Sequence, residues 1–230
     1  YPLPARPASA AGAATHPSVA ALPDASELAR LVSEEKRGAD GTPAGSVVYG
    51  GDDWDTRGDW IGRYGRKYGM LCATDSPRNH PVAFFGRGYD VKGGIGPHVS
   101  GEASLRHWIH WLQTDTPHTL YNPFVGVRRQ AEWDDHGEAY PMTFEGPDLW
   151  ASVDVPAGTH RVSLYFFNKD GHDGNNRYRD YLIEAKPFAA DRSRAGALPT
   201  LALARVRDFW TGVYKCFLVR GPGRYSFKVS

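Results

Sequence analysis

The feature that most constrains the fold is a series of short β-like runs from residue 46 to the end of the chain. The runs are apolar, β-branched or aromatic, and Gly, Pro, Asn and Asp separate them at intervals of about ten residues. Such a series predicts an all-β protein, built as an antiparallel β-sandwich. The runs are 46–49, 70–73, 82–85, 105–112, 125–133, 149–155, 160–167, 178–186, 203–210, 213–219 and 225–229.

The residues before this series have a different composition. Residues 1–23 are rich in Ala and Pro, which predicts an extended arm or linker. Asp24 can cap a short helix with Glu27 three residues later, so we expect one helix and a connection within 24–45. No linker-like composition recurs afterwards, so residues 46–230 are predicted to form one β-sandwich domain. The start at Tyr1 is typical of a mature end left after signal removal, or of an artificial boundary.

Composition argues against several classes of function. The 27 basic and 26 acidic residues leave a formal net charge of +1, which provides no electrostatic argument for nucleic acid or an anionic membrane. No apolar run reaches the roughly 18 residues that a membrane-spanning helix needs. The chain has two cysteines, Cys72 and Cys216, which are either free thiols or a single disulfide between an early and a late strand.

Residues 52–69, which we call the aromatic segment, combine carboxylates, rings and glycines at unusual density. Aromatic faces beside carboxylates are typical of sugar-binding sites, because sugar rings have apolar faces and hydroxyl edges. The alternative is that rings of this segment fill the end of the sandwich core while the glycines form tight turns. The candidate sugar contacts are Trp54, Asp55, Asp59, Trp60 and Tyr64.

A second polar cluster lies at the end of the run 125–133. Glu132, Asp134 and His136 could contact a sugar, ligate a metal or perform acid–base chemistry on a glycoside. The alternative is a solvated strand end with Trp133 buried.

The run 105–112 has no clearly polar face, which indicates a strand that is covered on both sides or binds a partner. On a strand, His107 and His110 point to opposite faces, so they are not expected to share a metal.

The loop after residue 167 is rich in oxygen ligands. Asp170, Asp173 and Asn175 are candidates for a structural Ca²⁺ site, although the loop lacks the spacing and the closing Glu of an EF-hand. A long hairpin loop held by Asn and Gly turn chemistry is the alternative. The chain has no Gly-x-Ser-x-Gly element, and we expect the glycines of 86–88 and 93–96 to form turns rather than a phosphate loop.

Several stretches together resemble a galactose-binding-like jelly-roll module of secreted, planctomycete-type bacterial proteins, a module often found without an assigned activity. They are 55–65, 131–133, 160–167, 209–214 and 221–225. The resemblance covers most of the chain from about residue 46 onward. It implies a jelly-roll sandwich and a secreted or cell-surface setting, but no set of binding residues.

Two departures from the module's pattern stand out. The module usually carries Asp-Trp-Asp after the central apolar strand, where this chain has Asn168, Lys169 and Asp170 before a longer loop. The module also tends to end with one more strand than this chain contains. We therefore expect a fragment of a longer protein, or a final strand supplied by another chain.

These observations lead to one expectation and two alternatives. We expect a secreted, non-catalytic carbohydrate-binding or adhesion module whose partner is a polysaccharide, since no catalytic signature is present. The first alternative is a structural subunit of an extracellular assembly. The second is a glycan-active hydrolase or lyase that uses Glu132, Asp134 and His136.

Overall fold

The computed structural model describes residues 45–75, 78–82, 88–96, 105–134, 147–168 and 179–230, and the predicted arm and helix within 1–44 lie outside these ranges. The described residues belong to one compact unit. Its elements are β1 (Val47–Asp53), β2 (Gly69–Asp75), β3 (Arg78–Val82), β4 (Asp90–Gly96), β5 (Arg106–Thr114), β6 (Tyr121–Asn122), β7 (Val127–Asp134), β8 (Asp148–Phe166), β9 (Tyr181–Pro187), α1 (Arg192–Ala197), β10 (Ala202–Val206) and β11 (Val213–Val229).

The strands form three antiparallel sheets that pack together, which confirms the predicted all-β sandwich class. The main sheet has the order β10-β9-β11-β8-β4, and β1 pairs with β11. A second sheet joins β2 and β3, and a third has the order β5-β7-β6. The predicted run 82–85 shares Val82 with β3, and its residues 83–85 lie outside the described residues.

Two long strands dominate the main sheet. Pro156, Ala157 and Gly158 lie between the predicted runs 149–155 and 160–167, and their composition predicts a turn there. That prediction is wrong, because β8 continues through them and is 19 residues long. The two last predicted runs are likewise one strand, β11, with a register shift between Gly221 and Gly223 opposite that point. A Cβ on Gly221 would lie 2.0 Å from the Pro156 carbonyl oxygen, so only glycine allows this approach. The Pro and Gly residues of β8 and β11 therefore lie opposite each other, and they bend the two paired strands without ending them.

The bend folds the main sheet over itself. We call β4, residues 148–155 of β8, residues 223–229 of β11, β9 and β10 half-sheet A, and residues 158–166 of β8, residues 213–221 of β11 and β1 half-sheet B.

Phe217 of half-sheet B and Phe227 of half-sheet A have ring centroids 5.1 Å apart. An unbent strand would separate residues ten positions apart by about 33 Å. The two halves are therefore the two layers of the sandwich. Their shared core includes Val47, Val153, Val155, Ile183, Val206, Val213, Phe217, Val219 and Phe227.

The outer face of half-sheet B is also covered. Trp60, Leu71, Val82 and Tyr214 form a second buried cluster. The aromatic segment and the β2–β3 sheet thus pack on half-sheet B from the side opposite the main core, and this position decides what the aromatic segment can do.

The sheet β5-β7-β6 contacts β2 and approaches the edge of half-sheet A. The Trp133 indole N–H donates to Asn79 Oδ1 at 2.7 Å, and its ring lies 3.0 Å from the position that a Cβ on Gly93 would take. The prediction that residues 93–96 form a turn is wrong, since they belong to the paired strand β4. The glycine is needed there because Trp133 packs across the strand.

Strand β9 and helix α1 differ from the sequence-based expectation. The hairpin-loop alternative predicts that the run 178–186 pairs with the run 160–167, but β9 lies between β10 and β11. The six-residue helix α1 was not predicted, although Asp191 caps it by accepting from Ser193 N–H at 3.0 Å. Lys186 donates to the Leu198 carbonyl at 3.0 Å just past the last helical turn, so it ties α1 to the sheet.

Candidate functional site

Asp53 organises the start of the aromatic segment. Its carboxylate accepts hydrogen bonds from the N–H groups of Asp55 and Thr56 at 2.9 and 3.0 Å, and from the Tyr64 hydroxyl at 2.8 Å. Burial alone would raise the pKa of Asp53, but hydrogen bonds from Thr56, Tyr64 and Asp55 outweigh it and hold the pKa below its usual value. Asp53 therefore fixes the loop as a partly buried anion.

Trp60 is part of the second core. Its side chain is 4% exposed, and its indole N–H donates to the Tyr121 carbonyl at 2.7 Å. A Cβ on Gly65 would lie 2.5 Å from the Trp60 ring, so the glycine is required by packing. Trp60 presents no ring face to a ligand in this structure, and the core-filling alternative describes it correctly.

Tyr64 is also occupied by protein contacts. Its ring stacks on Tyr214 with centroids 4.0 Å apart, and the Arg161 guanidinium lies 4.8 Å from its centroid. These contacts cover the ring, while its hydroxyl is bonded to Asp53. Tyr64 is therefore a packing residue rather than a platform for a sugar.

The remaining candidates of the aromatic segment are nearer to solvent. Trp54 is 36% exposed, and the Lys215 ammonium lies 5.6 Å from its ring centroid. Lys215 is buried and pairs with Asp52 at 2.7 Å. Asp59, 73% exposed, pairs with Arg128 of β7, whereas Asp55 is exposed. The segment thus offers one partly exposed indole and two exposed carboxylates.

A different cluster forms on β5 and β7. Trp108 and Glu132 are directly opposite in the ladder, and a register shift between Ile109 and Trp111 places His110 as an additional residue on β5. His110 Nε2 lies 2.6 Å from a Glu132 carboxylate oxygen, and the Trp108 indole N–H donates to His110 Nδ1 at 3.1 Å. We call these three side chains the Trp–His–Glu cluster.

The hydrogen bonds of this cluster determine the state of His110. An indole N–H can only donate, so Nδ1 is the acceptor and Nε2 carries the proton that His110 donates to Glu132. The imidazole therefore fixes the orientation of an indole that is 40% exposed. Trp111 and Leu112 of the same strand are exposed as well. The cluster therefore presents an oriented aromatic ring beside a half-exposed carboxylate.

Of the second predicted group, only the Glu132 side chain is described. Asp134 ends β7, opposite Arg106 in the ladder, and His136 lies outside the described residues. Sequence reasoning considered His110 only as a metal ligand and did not select Trp108. Their positions two apart on a strand, which place both side chains on one face, were the signal that could have found them.

The predicted calcium ligands Asp170, Asp173 and Asn175 also lie outside the described residues. Within the described part of the chain, no group of three or more His, Cys, Asp or Glu side chains could hold a metal ion.

Both cysteines are free thiols, so the structure holds no bridge between the candidate pair Cys72 and Cys216. The Cys72 thiol lies 3.9 Å from the Met70 carbonyl oxygen, and burial raises the pKa of Cys72 to about 12. Cys216 lies 3.5 Å from the Tyr64 hydroxyl, beside the second core.

A comparison of the chain with protein-family models, with curated proteins and with solved structures finds no match. In the described ranges, no helix is both long and apolar enough to cross a membrane.

Proposed function

We propose that this protein is a non-catalytic carbohydrate-binding module and that the Trp–His–Glu cluster is its sugar contact. The observation that carries the proposal is the exposed Trp108 indole, whose N–H is already bonded to His110. A sugar can stack its apolar face on such a ring without the ring losing much rotamer freedom on binding. The Glu132 carboxylate beside it can accept hydrogen bonds from sugar hydroxyls.

The broader setting is part of the same proposal. The chain has the β-sandwich fold class that galactose-binding-like modules also have, and the sequence resemblance suggests a secreted or cell-surface location. We propose this setting together with the sugar-binding function.

The non-catalytic part of the proposal rests on the hydrogen bond between Glu132 and His110. Glycoside hydrolysis uses a pair of carboxyl groups, one of which must be free to exchange protons at the sugar. Glu132 instead accepts a hydrogen bond from His110 Nε2–H at 2.6 Å and thereby orients the imidazole. Glu132→Gln is therefore expected to weaken binding and to change no turnover, whereas a loss of glycan cleavage would favour the hydrolase or lyase alternative.

The binding test compares two indoles of similar exposure. Trp108→Ala is expected to weaken retardation in native gels that contain polysaccharide by about tenfold in apparent affinity, since a lost aromatic stack and its buried area amount to ~1.4 kcal/mol or more. Trp54→Ala serves as the matched control, because Trp54 is 36% exposed against 40% for Trp108.

Two results would contradict the proposal. If Trp54→Ala abolished binding and Trp108→Ala did not, the contact would lie on the aromatic segment. If the protein bound no polysaccharide on a glycan array or in the gels, carbohydrate binding itself would be refuted.

One observation favours the alternative of an assembly subunit. The exposed side chains of Trp111, Leu112, Phe124 and Val125 form apolar surface on β5 and on the turn between β6 and β7. Such surface is typical of protein contacts as well as of sugar contacts. Light scattering after size exclusion decides between them: a concentration-dependent oligomer that Leu112→Ser dissociates would support the assembly subunit, and a monomer at all concentrations would exclude self-assembly.

A further inference from the structure

Folding pairs most of the carboxylates of the aromatic segment with groups of the protein. Its sequence contains as many carboxylates as basic residues, but three of the carboxylates are paired within the protein. Asp52 pairs with Lys215, Asp53 is surrounded by hydrogen-bond donors, and Asp59 pairs with Arg128. Asp55 is the fourth carboxylate and is exposed.

The basic side chains of this surface outnumber its carboxylates. Lys215 is buried and neutralises Asp52, so this pair adds no charge to the surface. Arg128 and Arg161 come from other strands, so the three other carboxylates face six basic groups, an excess of three positive charges. The whole chain carries only +1, so positive charge is concentrated here. Asp90, which lies near Tyr68, is balanced by Lys92 at 3.1 Å. The basic groups are Arg57, Arg63, Arg66, Lys67, Arg128 and Arg161.

Arg161 is held in place on this surface. Its guanidinium lies over the Tyr64 ring at 4.8 Å, and one of its N–H groups donates to the Arg63 carbonyl at 2.7 Å. A guanidinium has five N–H donors in a planar fork, so the others can engage a carboxylate or sulfate in bidentate fashion. Arg66 and Lys67 follow Arg63 by three and four residues and are exposed, and no described carboxylate pairs with either.

We propose that the surface formed by Arg63, Arg66, Lys67 and Arg161 binds an acidic polysaccharide, one whose sugars carry carboxylate or sulfate groups. The inference rests on the proposed carbohydrate-binding function and names the class of glycan. Arg161, pre-oriented by Tyr64, is the anchor for the acidic group. Arg66 and Lys67 add long-range attraction.

The exposed Asp55 favours a glycan over a nucleic acid. It lies beside the surface, because its N–H is bonded to Asp53, which is 3.7 Å from Arg63. Duplex DNA carries one charge per ~1.7 Å of its axis, so its phosphates would meet this carboxylate at close range. A glycan has hydroxyl groups between its acidic groups, and these can donate to Asp55.

The test uses native gels with polygalacturonate, dextran sulfate or neutral dextran at two salt concentrations. The full chain is expected to bind an acidic polymer more tightly than dextran, and less tightly as salt rises. Arg161→Ala is expected to weaken acidic-polymer binding by about tenfold and Arg66→Ala/Lys67→Ala by about threefold. The matched control, Arg205→Ala/Arg207→Ala, removes the same charge from β10 and the residue after it and is expected to change nothing here.

The outcomes separate this inference from the proposed function. If the protein showed no preference for acidic polymers and Trp108→Ala abolished its binding to neutral dextran, the inference would be overturned and the proposed function would stand. If Arg161→Ala weakened binding to acidic polymers and Trp108→Ala did not, the inference would be supported and the Trp–His–Glu cluster would be refuted as the sugar contact. The proposed acidic-polysaccharide surface would be refuted if the control variant lost as much binding as Arg161→Ala, or if the protein bound duplex DNA as tightly as the acidic polymers. Arg161 is exposed, so near-ultraviolet circular dichroism is expected to show an unchanged fold.

Discussion

The ion pair between the buried Lys215 and the partly exposed Asp52 offers the sharpest test of the structure. Lys215 lies on the core face of half-sheet B, two residues from Phe217, and its ammonium is 2.7 and 2.8 Å from the Asp52 carboxylate oxygens. Asp52→Asn keeps the size of the side chain but removes its charge. The substitution therefore leaves a buried ammonium group without its counter-ion.

The expected cost follows from this geometry. At an effective dielectric constant of about 20, two unit charges ~3 Å apart attract by about 5.5 kcal/mol. Desolvation offsets part of that attraction, and removal of one partner of a buried pair typically costs about 3–5 kcal/mol. Because Asp52 is 27% exposed, we expect the lower end, about 3 kcal/mol in the free energy of unfolding.

Urea denaturation followed by tryptophan fluorescence measures this cost. The double variant Asp52→Asn/Lys215→Met is expected to recover about 2 kcal/mol relative to Asp52→Asn, because it removes the unpaired charge as well. Asp59→Asn is the control, an identical change in a carboxylate that is 73% exposed, with an expected loss below about 1 kcal/mol. A loss below 1 kcal/mol for Asp52→Asn, or no recovery in the double variant, would refute the reasoning.

Three further predictions concern the bend, the acid limit and thiol reactivity. Gly221→Ala is expected to destabilise by about 3 kcal/mol in urea denaturation, because the new Cβ meets the Pro156 carbonyl at 2.0 Å; Gly196→Ala has open space and is expected to stabilise by about 0.5 kcal/mol. Folding lowers the pKa of Asp53, so its contribution to stability is complete above its unfolded pKa of ~3.9 and is lost as the pH falls through the folded pKa. Asp53→Asn is therefore expected to flatten the pH dependence of the melting temperature below pH ~4. An unchanged slope in this variant would contradict the prediction. Because the pKa of Cys72 is raised to about 12, iodoacetamide at pH ~8 should alkylate it at least about 100-fold more slowly in the folded than in the unfolded protein, as mass spectrometry of the peptide can measure.

Local patterns predicted the strands better than their connections. The alternation within 105–112 and the apolar run 160–167 were recognised because a strand's side-chain period is a property of neighbouring residues. The turn expected at 156–158 was wrong because Pro and Gly permit both a turn and a bend. Gly221 and Gly223 stand opposite this point, and their position in the ladder selected the bend.

The candidate site shows the same difference between what local sequence patterns predict and what tertiary contacts decide. Glu132 was selected from the sequence, but its partners Trp108 and His110 were not, since the register of β5 against β7 determines which side chains meet. Trp60 and Tyr64 were predicted from the sequence as sugar contacts, whereas the folded chain buries Trp60 and packs the partly buried Tyr64 against the same cluster.

The sequence by itself determined that the chain builds an antiparallel β-sandwich, because strand-forming runs and turn residues act over a few neighbouring positions. Only the tertiary structure decided which charges remain available. Asp52 is neutralised by a lysine 163 residues away and Asp59 by an arginine 69 residues away. Contacts over such separations depend on the folded path of the chain, and they convert a segment with balanced charge into a positively charged surface.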